Sequence, residues 1–251
     1  MHPSNGKTFL VSAGAFLLIP ILLGQTPQAP RGSGIPDGGT REVLVSIFIP
    51  SLPNAAFTAT LNTEWVRFLA DGTRITLRNH RLIARDKSGR IFQERRLLVP
   101  EGGEQHSVIT QTEISDPNAK EQYICAPRER VCQLEVFHAL SPIGSAAGRP
   151  PEAALGTKSI AGVEAVGTRE TKMIPMGTIG NSSPIRTTME YWYSQRLGFN
   201  ALSIREDPRF GTQKFELSDV LMADPDPNLF APPEGSQIID LRNLVVGAPG
   251  K

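Results

Sequence analysis

Histidine, cysteine, serine and paired carboxylates are the side chains that most often carry catalysis or hold a metal, and this chain of 251 residues offers few of them at useful spacing. His80, His106 and His138 stand far apart, His2 sits in the amino-terminal stretch, and none has a second histidine or cysteine at ligand spacing. A metal site legible in sequence needs such pairs, so none is expected. Gly-x-Ser-x-Gly is absent, and Gly32-Ser33-Gly34 and Gly144-Ser145 fall where no strand and helix would hold a nucleophile on a sharp turn. Asp224 with Asp226 and Glu206 with Asp207 are interleaved or followed by Pro225, Pro227 and Pro208, which marks turns rather than a general acid and base. Gly177-Thr178-Ile179-Gly180-Asn181 lacks a following Lys-Ser or Lys-Thr, so a long hairpin turn is expected there rather than a phosphate loop. No catalytic residue, metal or cofactor emerges, and the chain reads as a non-enzyme.

What remains is binding chemistry and one covalent bond. Cys125 and Cys132 are separated by six residues that include Pro127. They either face each other across a hairpin as a disulfide or stay as buried thiols; an exported compartment favours the bridge. Closing so short a loop adds about 2 to 3 kcal/mol in the chain-entropy model. In Tyr191-Trp192-Tyr193 the two tyrosines point to one face of a strand and the tryptophan to the other. Together with Phe57, Leu61 and Trp65, Tyr191 and Trp192 either line an apolar ligand cavity or form plain sheet core. Arg74, Arg78, Arg81, Arg85, Arg90, Arg95 and Arg96 crowd into two expected strands. They make either a binding face for an acidic partner or a solvated outer face that keeps the sheet from pairing with other chains.

These residues must be positioned by strands. From residue 57 onward β-rich runs alternate with turn dipeptides, the pattern of an antiparallel meander. A first strand over 57–69 puts Phe57, Ala59, Leu61, Thr63 and Trp65 on one face, and Asp71-Gly72 turns the chain back. Further strands are expected to end near Arg85, over 90–99, over 108–114 and in the two arms of the cysteine hairpin. Residues 139–154, rich in proline and glycine, read as a loop. Strand signals resume over 158–160, 163–174, 186–193, 201–205 and 212–220, and the proline-rich tail over 224–233 caps the fold. Residues 40–49 suit a short helix or a strand.

The amino terminus reads as an export signal. Lys7 precedes an uncharged, largely apolar run of about fifteen residues, short of the roughly twenty that span a bilayer. Residues 1–24 are therefore expected to be a cleaved signal peptide, with Gly24 or Ala29 as the cleavage point. Residues 25–40 form a flexible leader, and 41–251 a single β-rich domain. No cysteine follows the apolar run to accept a lipid, and no other segment is apolar enough to span a bilayer, so a periplasmic or secreted protein is expected. With 26 basic and 25 acidic residues the net charge is +1, which provides no global field for nucleic acid or an anionic membrane.

Several short motifs resemble the LolA-like group of exported proteins, which includes the periplasmic lipoprotein carrier and the amino-terminal domain of the sigma-E regulator RseB. They are Leu69-Ala70-Asp71-Gly72-Thr73, Arg85-Asp86-Lys87-Ser88-Gly89-Arg90, Leu155-Gly156 with Ile160-Ala161-Gly162-Val163-Glu164-Ala165, Trp192-Tyr193-Ser194, and the closing Leu229-Phe230-Ala231-Pro232-Pro233-Glu234-Gly235. The resemblance implies an unclosed half-barrel, a curved antiparallel sheet covered by helices, with an apolar concavity; helical periodicity is poor in this chain, so few short helices are expected. It further implies a binding module of the cell envelope that holds an acyl or other apolar ligand, or alternatively an RseB-like regulator that binds another envelope protein through the arginine-rich face. The cysteine hairpin and the loop at 139–154 depart from the carrier's pattern.

Overall fold

A computed structural model describes residues 47–138 and 153–243, all within one compact unit. The expected signal peptide and leader, and most of the loop at 139–154, lie outside the described residues.

Alternating apolar residues and tight turns build the first strands. β1 (Phe57–Phe68) and β2 (Arg74–Arg85) are joined through Gly72, whose φ of 84° is the left-handed conformation that favours glycine. β3 (Ile91–Arg96) follows the Asp86–Gly89 turn, in which Asp86 accepts from Ser88, Arg90 N and Arg90 Nε. β4 (Val99–Pro100) is a two-residue pairing on β2, and β5 (Ile109–Asp116) returns beside β3. β6 (Glu121–Ala126) and β7 (Val131–Val136) form the hairpin in which Cys125 sits directly opposite Cys132, and the two are disulfide-bonded.

After the undescribed loop come β8 (Ala153–Ile160), β9 (Val163–Ile174), β10 (Ile185–Ser194), β11 (Phe199–Asp207) and β12 (Gly211–Leu221). A 3-10 turn at Pro227–Phe230 is the helical element among the described residues, and β13 (Gln237–Asp240) closes them. β8 reaches back to Ala153, beyond the 158–160 signal and into the span expected to be loop; pairing with β9 supplies hydrogen bonds that local propensity does not foretell.

All strands belong to one sheet, in the order β13-β7-β6-β5-β3-β2-β1-β12-β11-β10-β9-β8 with β4 beside β2. Every pairing is antiparallel except β13 on β7. The edges, β13 and β8, do not meet, so the sheet is unclosed.

The main core gathers Phe57, Ala59, Leu61 and Ile83 with Leu197, Phe199, Phe215 and Leu217. Ala84, the next residue after Ile83, faces the opposite way and packs with Phe92, Ile114 and Phe230, so the proline-rich tail covers that second cluster. Arg85 is completely buried and donates to three backbone carbonyls: Ala55 at 2.8 Å, Pro50 at 2.9 Å and Leu197 at 2.7 Å. It ties the segment before β1 to the turn after β10 across the floor of the core. Burial lowers its pKa to about 10, still high enough to keep it charged at neutral pH.

Candidate functional site

The sequence-predicted ligand residues do not share one open space. Phe57 and Leu61 are wholly enclosed in the main core, and Trp192, 8% exposed, belongs to the same cluster. Trp65 is also buried: its Nε1 donates to the Phe210 carbonyl at 2.6 Å, and the Arg67 guanidinium lies 4.5 Å over its ring. Tyr191 is half-buried on the face of β10 opposite Trp192, where burial and then the nearby Glu170 push its phenol pKa up. None of the five lines the two open cavities described below.

The arginines of β2 and β3 are likewise dispersed. Arg81 and Arg85 are buried, while Arg90 pairs with Asp86, Arg95 with Glu113 and Arg96 with Glu94. Arg78 pairs with both Glu64 and Glu101. Most of the positive charge is therefore neutralised where it stands, and these residues do not form one unpaired cationic surface.

Register assembles a site that sequence order conceals. Glu64 on β1 lies opposite Arg78 on β2 and Lys214 on β12; Lys214 lies opposite Ile204, Ile204 opposite Glu190, and Glu190 opposite Arg169 on β9. Directly opposed residues in a ladder project from the same face. One row thus crosses six strands in the order Arg78, Glu64, Lys214, Ile204, Glu190, Arg169, with cation and anion alternating around a single apolar residue. Arg78 Nε donates to Glu64 at 2.8 Å, Arg169 Nε donates to Glu190 at 3.0 Å, and Lys214 reaches Glu216 at 2.6 Å. The next row, toward the β1–β2 turn, is Thr76, Val66, Thr212, Glu206, Thr188 and Thr171.

This face is concave. A trough of about 720 Å³ is lined at once by Phe68 of β1, Thr212 of β12, Glu206 of β11, Thr188 of β10 and Arg169 of β9. In a flat sheet the first and last of these strands would lie roughly 19 Å apart, so the sheet must curl for them to share one cavity. Asp207 anchors the trough's rim. It is buried, accepts from the Arg209 backbone N at 3.0 Å and Arg209 Nε at 2.9 Å, and its carboxyl is held below the usual range chiefly by that side-chain hydrogen bond. Gly211 permits the turn: its φ is 84°, and a Cβ there would lie 2.0 Å from the Val66 carbonyl oxygen.

A second groove of about 490 Å³ adjoins the row on the β2 side, where His80, Asn62 and Glu216 form the next rung and the 105–107 segment supplies His106. The structure thus brings together two histidines that stand far apart in sequence. Among the described residues neither is hydrogen-bonded to a carboxylate or hydroxyl that would ready it for proton transfer, and no group of three His, Cys, Asp or Glu side chains suits a metal ion. His138 lies at the end of the described segment, away from this groove.

No family model matches the chain, and no curated protein matches it. Solved structures to which it is similar include the MucA/MucB complex of Pseudomonas aeruginosa, at 13% identity over 73% of this chain and 58% of that chain, with a TM-score of 0.37. A LolA superfamily protein, NE2245, from Nitrosomonas europaea gives 10% identity, 72% and 91% coverage and a TM-score of 0.30. LprF from Mycobacterium bovis gives 11%, 68%, 89% and 0.27. The chain spans less than two thirds of the MucB chains, 56% to 59%. LolA-like proteins are the group that the sequence motifs resemble. At these identities and scores the similarity assigns no ligand, partner or activity.

Proposed function

We propose that the protein is a non-enzymatic binding module, exported after removal of residues 1–24, whose concave face holds a segment of another envelope protein. The carrying observation is the alternating charged row from Arg78 to Arg169, set between two open grooves on that face. Ordered polar groups of both signs suit a polypeptide, which offers backbone amides and charged side chains of both kinds. They give an acyl chain nothing it prefers to its own kind. An acyl ligand in contact with Phe57 and Leu61 requires the core to open first, because both side chains are at 0% exposure.

The test is a photo-crosslinking amino acid placed at Thr212, on the trough floor, in cells that make the protein. A discrete protein adduct is expected, absent when the crosslinker is moved to Ile238 on β13 and weakened when Arg169→Glu breaks the charged row. Adducts that are lipid alone, or a protein adduct indifferent to the charge reversal, would overturn the proposal.

A further inference from the structure

The hairpin between β9 and β10 carries no charged residue from Met173 to Ile185. It is folded back on itself: Gly177 N donates to Asn181 O at 2.8 Å, and Asn181 Nδ2 donates to Pro175 O at 2.9 Å. Even so, Met173, Met176 and Ile179 are 55%, 67% and 54% exposed. At its base Arg186 lies opposite Met173, and Lys172, which pairs with Glu170, lies opposite Thr187 on the neighbouring rung, so two cations flank an apolar, uncharged tip. The β1–β2 turn lies at the same end of the sheet and repeats the arrangement. Phe68 and Leu69 are 66% and 49% exposed, bracketed in sequence by Arg67 and Arg74. Phe68 and Arg186 line the same trough, with the β11–β12 turn and its Asp207 and Arg209 between the two tips.

Single exposed apolar side chains are ordinary on any surface. Two tips at one end of the sheet, each with exposed apolar side chains and flanking cations, are a different pattern. A bilayer interface matches it term by term, because large side chains enter the acyl boundary while lysine and arginine reach the phosphates. We infer that this end of the sheet docks on an anionic lipid surface, with the β9–β10 tip inserted and Lys172 and Arg186 at the headgroups. Asp71 stands in the β1–β2 turn, where it accepts from Thr73 N; its charge opposes insertion there and makes the β9–β10 tip the deeper of the two. The net charge of +1 is no obstacle, since attraction to a charged surface decays within about a Debye length, about 8 Å at physiological salt, and so depends on which charges face it.

The two native cysteines are bridged, so a single new thiol can be labelled in the full chain. Met176→Cys carrying an environment-sensitive fluorophore is mixed with phosphatidylglycerol vesicles and, separately, with phosphatidylcholine vesicles, each with and without a lipid-borne quencher. Ile238→Cys, exposed on the edge strand β13, is labelled in parallel. The apolar run near the amino terminus can tether the whole chain, but only tip insertion moves the label at position 176 into the acyl region. A blue shift and quenching are expected at 176 with phosphatidylglycerol and not at 238. Arg186→Gln should weaken the apparent affinity roughly fivefold, the equivalent of one basic contact. A label at 176 that stays in water, or a shift that is equal on phosphatidylcholine and indifferent to Arg186→Gln, would overturn the inference.

Discussion

Arg85→Met tests how the core is kept closed. The guanidinium is wholly buried, and three backbone carbonyls depend on it: Pro50 and Ala55 before β1, and Leu197 in the turn after β10. Methionine keeps much of the side chain's length and apolar stem but donates nothing. An orphaned acceptor costs about 1 to 3 kcal/mol when buried, as at Leu197, and less when partly buried, as at Ala55 and Pro50, so the three amount to roughly 3 to 6 kcal/mol. Against this stands relief from burying a cation, worth several kcal/mol. The net expectation is about 1 to 4 kcal/mol of destabilisation, the lost hydrogen bonds outweighing the relief. Urea denaturation followed by tryptophan fluorescence reads it through Trp65 and Trp192, both of which are buried. With a slope near 3 kcal/mol per molar, the midpoint should fall by about 0.3 to 1.3 M. Arg85→Lys should fall between, because a single ammonium cannot replace the forked geometry. The native state of Arg85→Met should also bind a hydrophobic dye, since the two straps over Phe57 are released. A loss under about 1 kcal/mol without dye binding would refute the argument that Arg85 seals the core.

Three further expectations are independent of that one. Replacing both Cys125 and Cys132 by serine should lower stability by about 2 to 3 kcal/mol, the chain-entropy value for a loop this short, measured by the same denaturation. Gly167→Ala should cost about 1 to 3 kcal/mol and alter Trp192 fluorescence, because a Cβ at residue 167 would lie 2.6 Å from the indole ring. Asp207 has a folded-state pKa below its unfolded value, so its ionised form stabilises the fold above the ordinary carboxylate range, near pH 4. That contribution is lost as pH falls through the lower folded value. Asp207→Asn should therefore cost about 1.5 to 3 kcal/mol at neutral pH and flatten the acid limb of the stability curve, as read by unfolding between pH 7 and pH 2.

The strands were legible wherever the signal was local. β9 spans Val163–Ile174, the bounds that alternation and the flanking turns predict, and the cysteine hairpin followed from a proline turn between two β-prone arms. β13 was not foreseen because its four residues are all exposed and are held by parallel pairing to β7, which no local pattern announces. Alternation placed Phe57, Leu61 and Trp65 on one face correctly. It cannot say whether a face is open, since the straps over Phe57 come from the segment before β1 and from the turn at Leu197. Arg81 and Arg85 show the same limit: a period of two groups them, yet not on the solvent side. The charged row escaped sequence reading because Glu64, Arg78, Arg169, Glu190 and Lys214 become neighbours only through the pairing of β9 to β12 with β1 and β2. One local clue was available, the placement of Glu64 and Arg78 on the two arms of a hairpin whose Asp-Gly turn sets their register.

The concave charged face, and not the sealed apolar core, is the surface proposed to do the binding. Native mass spectrometry of the protein isolated from the cells that make it, followed by lipid extraction, reads both possibilities in one spectrum. A polypeptide-sized increment that disappears with Arg169→Glu is expected, with no acyl species in the extract. A stoichiometric lipid-sized increment that survives Arg169→Glu and disappears with Trp65→Ala in a folded protein would contradict it.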